Sequence, residues 1–335
     1  MKRILAGLMA LAALAGCGPT QEQAAETGPR TEIAFSILST ENSQNLESLW
    51  RPFLSDMEKE TGLKVTPFFA SNYTGLIEAM RFDKVQVGWF SNASGLEAVR
   101  RADAEVFLRS SDPSGVDGYN SIIIVPAASP LQTVDQLLTC DGTLDFGIGD
   151  AKSTSGTLAP MTFLFAPRKI DPATCFKTVR AANHEGNLMG VANGLLDAAT
   201  NNTTNLKRLA RTQPEILDQV RTIWTSPKIP EDPILWRKDL DPATKEKVRT
   251  FFITYGRRGS PEQQARERKI LADLDFGIFQ PADDSHLLPV REMEATEKLI
   301  KAQGKADAAA IKAAEADLAA IRAEAAKIAG EAPRP

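Results

Sequence analysis

The chain has 335 residues, 43% of them hydrophobic and 24% charged, enough apolar material for one or two domains with a sizeable core. Lys and Arg total 39 against 43 Asp and Glu, a net charge of −4 with no basic stretch; nucleic acid is therefore a poor partner, because counterion release needs clustered cations. Two histidines and three cysteines exclude a Cys/His zinc cluster, and neither a metal nor a cofactor is expected.

Lys2 and Arg3 precede an apolar stretch from Ile4 to Ala15, the pattern of a secretory signal and not of a membrane helix. Leu14-Ala15-Gly16-Cys17 resembles the lipobox of bacterial lipoproteins. That resemblance implies cleavage before Cys17 and diacylation of its thiol; the plainer alternative is an ordinary signal cut after Ala15. Residues 1–16 are then the signal peptide and the polar residues 17–30 a tether beside a membrane. No later apolar run is long enough to span a bilayer. Cys140 and Cys175 remain, and in an exported chain they most simply form one disulfide, against a pair of buried free thiols. The bond would close a loop of about 36 residues, worth ~3–4 kcal/mol on the chain-entropy account.

Along the body, Thr31–Ser39 reads as a buried strand, Asn45–Thr61 as an amphipathic helix stopped by Gly62, and Lys64–Phe69 as a strand. Leu76–Phe82 (helix), Val85–Phe90 (strand) and Ser94–Ala102 (helix) follow. Ser121–Pro126 is apolar throughout, as central strands of α/β sheets are. A second α/β set runs through Val134–Leu138 (helix), Leu144–Gly149 (strand), Leu158–Phe165 (helix), Phe176–Arg180 (strand), Glu185–Asn193 (helix), Leu196–Thr200 (strand) and Val220–Thr225 (strand). Pro227–Pro233 reads as a rigid loop and Ala243–Tyr255 as a helix. Two α/β lobes fit this better than one large sheet. Glu292–Ala329 is one amphipathic helix with a narrow stripe (Ile311, Ala314, Leu318, Ile321, Ala325, Ile328), packed on the body in preference to serving as a coiled-coil arm.

Ser153-Thr154-Ser155-Gly156-Thr157 lies between a strand and a helix, where hydroxyls and free N–H groups suit an oxyanion; a simple helix cap is the plainer reading. No Gly-Lys pair makes it a P-loop, and Lys152 stands where Gly147-Ile148-Gly149 would need its third glycine. His184 occupies a like position and could donate to a bound anion or merely cap a helix. Tyr73 and Tyr119 lie at strand ends among glycines, where α/β sheets meet ligands, and each could equally pack under a loop. Asp232, held between Pro230 and Pro233, is either a turn carboxylate or a counterion for a ligand cation. His286 is read as structural, and the Asp-Leu-Asp triplets at 239–241 and 273–275 as solvated charge. No nucleophile elbow or i, i+4 histidine pair supports catalysis.

Together these segments resemble the phosphonate-binding proteins of ABC importers. The resemblance is carried by Ser39–Leu46, Met57–Gly62, Met80–Phe82, Asp150–Gly156, Asn201–Thr203 and Ser226–Pro233, in order from about Ile33 to Arg291. It implies an α/β fold of two lobes, the class II Venus-flytrap architecture of periplasmic binding proteins, with hinge strands and a C-terminal helix. The first lobe would take 31–122 and 226–291, the second 123–225, and 292–335 the helical tail. It also implies a periplasmic, non-enzymatic receptor that binds a phosphonate, phosphite or phosphate with high affinity and delivers it, by hinge closure, to a membrane permease and its ATPase. Ser153, Thr154 and Ser155 match the residues holding the anion, and His184, Tyr73 and Tyr119 complete the pocket. Of two carboxylates that take an ammonium in aminoalkyl-phosphonate binders, one matches Asp232 and the other falls on Thr204, which favours an unsubstituted or alkyl ligand. Phe90 stands where the family tends to carry Tyr at the pocket mouth. The rival functions are an envelope phosphohydrolase and a ligand sensor built on the same pocket.

Overall fold

Ile33 and Phe35 put apolar side chains on one face of strand β1 (Glu32–Ser36), and that strand nucleates the first of two sheets. A computed structural model describes residues 29–331. Cys17 and the signal therefore lie outside the described residues. Strands β2 (Lys64–Phe68) and β3 (Val87–Trp89) flank β1 in parallel. β4 is Ala104–Arg109, β5 Tyr119–Pro126, β6 Asp145–Ile148, β7 Thr178–Ala181, β8 Ala198–Asn202, β9 Val220–Ile229, β10 Pro233–Arg237 and β11 Gln280–Pro281. The first sheet has the order β11-β4-β10-β3-β1-β2 and the second β7-β6-β8-β5-β9. Each contains three parallel strands and then one antiparallel strand, β10 followed by β4 and β11 in the first sheet and β5 followed by β9 in the second. The chain thus crosses between lobes ahead of β5 and again between β9 and β10, the mixed two-lobe fold expected.

β5 confirms the reading of an all-apolar central strand. Ile123 and Val125 pack on one face with Phe146, Leu164 and Phe165, while Ile122 and Ile124 pack on the other with Leu188 and Val191. The first lobe buries a cluster of aromatic rings, including Trp50, Phe53, Phe252 and Phe279, between the sheet and its helices. Cys140 and Cys175 form the disulfide.

Three expectations change. The supposed rigid loop 227–233 shrinks to Pro230–Asp232, because β9 continues to Ile229 and β10 starts at Pro233. Pro227 is tolerated within β9 because that strand lies at the sheet edge. The helix expected at Leu158–Phe165 starts early and is wound as π-helical turns, Thr154–Leu158 and Met161–Phe165, broken where Pro160 removes an amide donor. The single tail helix is a hairpin of helices Leu288–Gly304 and Ala308–Glu331, with Ala306 in the left-handed region at φ 53. Leu318 and Ile321 of the stripe pack on Leu288 and Ala295 of the first arm. Strand β4, helix Thr203–Thr212 and helix Pro261–Asp273 add to the elements read from sequence.

Candidate functional site

Six helices begin at the cleft between the sheets, and each begins on an Asn or Ser. Asn42, Asn72, Ser91, Ser153, Asn183 and Asn202 accept the backbone N–H three residues on, at 2.9, 2.9, 3.2, 3.0, 2.8 and 2.7 Å respectively. Three belong to the first lobe and three to the second, so positive helix ends face one another across the cleft.

The first-lobe ends are already occupied by second-lobe acceptors. The Glu185 carboxylate accepts from the Asn42 backbone N–H at 2.7 Å and from the Asn42 and Asn45 amides at 3.0 Å. Asp150 Oδ2 accepts from Tyr73 N–H at 3.0 Å, and Thr154 Oγ1 accepts from Ala93 N–H at 2.8 Å. Ser91 donates to the Lys152 carbonyl at 2.9 Å. Of the second-lobe ends, that of the His184 helix meets the first lobe through Glu185 N–H, which donates to the Thr40 carbonyl at 3.3 Å, and Ser153, His184 and Asn202 line a small cavity.

Of the residues singled out from sequence, Tyr73, Tyr119, Ser153, Ser155, His184, Thr204 and Asp232 all line this cavity. Thr154 does not: its hydroxyl is spent on the first lobe. Phe90 is fully buried in the core and forms no part of the wall. His286 has the structural role expected, its Nε2–H donating to the Glu231 carbonyl at 2.7 Å. Asp275 overturns the solvated reading of its triplet. It is 7% exposed and accepts from Arg208 Nε and Arg211 at 2.5 Å, while Arg208 also pairs with Glu41. That cluster ties helix Thr203–Thr212 of the second lobe to the first.

At one part of the wall Ser155 Oγ, His184 Nε2 and the Asn202 amide converge, with Asn202 Nδ2 3.2 Å from Ser155 Oγ and 3.1 Å from His184 Nε2. Burial pushes the His184 pKa down to about 4, so the ring is neutral. At another part, Asp232 accepts from Tyr119 Oη and Trp89 Nε1, both at 3.1 Å. Burial, and then the neighbouring Glu231 charge, raises the Asp232 carboxyl to about 8 against those two hydrogen bonds. Burial with the Asp112 and Asp117 charges raises Glu231 to about 7. Burial and the Asp232 charge push both Tyr73 and Tyr119 up, keeping them as neutral phenols. The wall therefore offers neutral donors in one region and carboxyls in another. Among the described residues no group of three or more His, Cys, Asp or Glu side chains could hold a metal ion.

Sequence reasoning missed Trp89, Asn202, Arg208 and Asp275. For Asn202 a signal existed: Asn at a strand end, three residues before another helical N–H, is the capping pattern repeated six times. Arg208 and Asp275 lie 67 residues apart and only the fold brings them together.

Residues 35–287 match the family model for the periplasmic substrate-binding protein of phosphonate ABC transporters. The phosphonates-binding periplasmic protein of Escherichia coli K12 is 45% identical over 261 residues, covering 78% of this chain and 75% of that protein. A binding-protein component of an ABC phosphonate transporter from Pseudomonas aeruginosa has TM-score 0.85 at 41% identity, over 89% of this chain and 99% of its own. A Prochlorococcus marinus protein solved with methylphosphonate shares the fold at TM-score 0.67 and 17% identity, over 78% of this chain and 97% of its own. With a cleft between two α/β lobes and a match that spans the folded body, the chain belongs to the phosphonate-binding family of periplasmic substrate-binding proteins, the ligand-capturing components of ABC importers.

Proposed function

We propose that the headgroup of a small phosphonate binds with high affinity against the second-lobe wall, through Ser153, Ser155 and His184 together with the Tyr73 and Tyr119 hydroxyls. The observation that carries this is the asymmetry of the helix ends. Those of the first lobe are closed off by Glu185, Asp150 and Thr154, while on the second the Glu185 N–H meets the Thr40 carbonyl and Ser153, Ser155, His184 and Asn202 line the cavity. Thr154 then contributes to closure by accepting from Ala93 N–H. Binding stabilises the closed state that the permease and its ATPase receive. The hinge crossings we infer lie just ahead of Tyr119 and at Pro230–Asp232, slightly outside 122/123 and 225/226, because β5 and β9 pair within the second sheet.

Asp232 stands ready for one ammonium contact, and Thr204 supplies no second carboxylate. Alkyl phosphonates, phosphite and phosphate therefore compete well with aminoalkyl phosphonates. Calorimetry against methylphosphonate, 2-aminoethylphosphonate, phosphite, phosphate and sulfate tests this, with submicromolar binding of at least one phosphorus oxyanion expected. No binding below the millimolar range sinks the assignment of the cavity. Thr204→Glu is expected to shift preference toward the aminoalkyl ligand, and an unmoved ratio removes Thr204 from the ligand's side chain. We further propose that Cys17 carries a lipid anchor. Mass spectrometry of the mature N-terminus, with Cys17→Ala released into the soluble periplasmic fraction, checks it.

A further inference from the structure

Asp232 is not the only carboxyl of its kind on the cavity wall. Glu231, its neighbour in the chain, lines the same cavity with Thr204 and is 8% exposed. Both oxygens of Asp232 are already engaged. Its Oδ1 accepts from Tyr119 Oη at 3.1 Å and from Asn92 Nδ2 at 3.4 Å, and its Oδ2 from Trp89 Nε1 at 3.1 Å. The Glu231 carboxyl is less committed. It accepts from the Gly118 backbone, and among the described residues no cation pairs with it, since Lys207 is spent on Asp112 at 2.5 Å. Its main chain is held in place by His286, whose Nε2–H donates to the Glu231 carbonyl at 2.7 Å.

The surroundings of Glu231 say which way it faces. Burial and then the Asp112 and Asp117 charges raise its carboxyl, while the Gly118 N–H and the Lys207 charge draw it back. Lys207 and Thr204 lie three residues apart on helix Thr203–Thr212 and so share a face. Glu231 is therefore set against the stretch of helix where Thr204 brings no carboxylate. An ammonium has three N–H donors, and in a buried site each needs an acceptor. Asp232, already shared among three donors, and the single Thr204 hydroxyl leave such a group short, at the cost of an unpaired buried charge.

Resting on the phosphonate reading of this cavity, we infer that Glu231 is the second carboxylate for a ligand ammonium, standing in for the one absent at Thr204, and that it keeps aminoalkyl phosphonates among the ligands. Glu231 and Asp232 hold the ammonium between them while the headgroup lies against Ser155 and His184. Because both carboxyls are raised by burial, they are partly protonated near neutral pH, and an alkyl group meets less than two full charges there. Alkyl ligands compete for that reason, and aminoalkyl ligands hold their place through Glu231.

Calorimetry at pH 8.5, above both raised carboxyls, compares 2-aminoethylphosphonate with propylphosphonate, which has a methyl group in place of the ammonium. Glu231→Gln keeps the size of the side chain and an acceptor for Gly118 but removes the charge. The affinity ratio of the aminoalkyl to the alkyl ligand is expected to fall about tenfold or more in Glu231→Gln, the scale of a hydrogen bond between charged groups. Adding Thr204→Glu to that variant returns a carboxylate from the helix and is expected to recover most of the ratio. A ratio unmoved in Glu231→Gln, with both ligands bound below the millimolar range, overturns the role of Glu231 and leaves the phosphonate reading standing. A ratio that falls and is not recovered by Thr204→Glu assigns the loss to pocket shape and not to a missing acceptor, which also overturns the inference. If neither ligand binds the wild-type protein below the millimolar range, the phosphonate reading has failed and the Glu231 subsite falls with it.

Discussion

Glu185 reaches across the cleft and accepts from the Asn42 backbone at 2.7 Å, so that a carboxylate of one lobe caps a helix of the other. The interaction combines hydrogen bonds to a charged group with the positive end of helix Ser43–Thr61, and it exists only when the lobes are together. Because the pair is solvent-accessible, its worth is modest. Glu185→Ala is expected to weaken ligand binding by about 1 kcal/mol, roughly fivefold, and to shift the ligand-free protein toward open forms. Small-angle scattering without ligand and calorimetry with it check this; no change in either would show that the clasp does not contribute to closure.

Asp232 makes the unliganded protein sensitive to pH. Its folded pKa is raised to about 8, far above the unfolded carboxylate value, so the folded state binds the extra proton between those limits. Stability is therefore greatest at low pH within that window and falls as pH rises toward 8; the raised Glu231 acts in the same direction. Asp232→Asn should flatten the profile and be more stable than wild type at pH 8.5 by about 1–3 kcal/mol. Urea titrations across pH 5 to 9 measure it, and parallel profiles for the two proteins would refute the raised pKa.

Ser155 and Thr154 are neighbours with different tasks. Ser155→Ala should weaken methylphosphonate binding by about 1–3 kcal/mol, as expected for a hydrogen bond to a charged group, and leave the open-to-closed balance of the free protein alone. Thr154→Val removes the acceptor for Ala93 N–H and should alter that balance first. Running scattering and calorimetry on both variants separates the roles; identical behaviour would show that they act together.

The ion cluster around Asp275 should behave as a buried pair. Asp275→Asn leaves Arg208 with Glu41, takes the carboxylate from Arg211, and should cost about 2–4 kcal/mol in urea unfolding. Replacing Arg208 by Met alongside Asp275→Leu should recover most of that loss, since the desolvation of both groups goes with them. A double variant as unstable as the single one would mean that the ions contribute more than their burial costs.

Much of the architecture was legible because it depends on local chemistry. The apolar run Ile122–Val125 announces a strand covered on both faces, and Gly62 adopts the left-handed φ of 67 that ends its helix. The anion-site residues were legible too, since Ser153, Ser155 and His184 stand where strands hand over to helices. The amphipathic tail was recognisable as helix, but its fold into a hairpin at Ala306 went unread although Gly304 and the capping Asp307 stand at the turn. Helix Thr203–Thr212, which carries Thr204 and Arg208, is amphipathic but has few apolar residues.

The amino-acid sequence alone determined the two α/β lobes, the cysteine pair, the absence of a Cys/His metal cluster and most of the cavity wall, since periodicity, caps and residue chemistry are properties of neighbours along the chain. Tertiary structure decided which helix ends meet the opposite lobe, that Thr154 faces that lobe, and that Asp275 is buried against Arg208. Each of those depends on groups brought together across the cleft or between elements, where burial and hydrogen-bond polarity act on atoms that no spacing in the sequence relates.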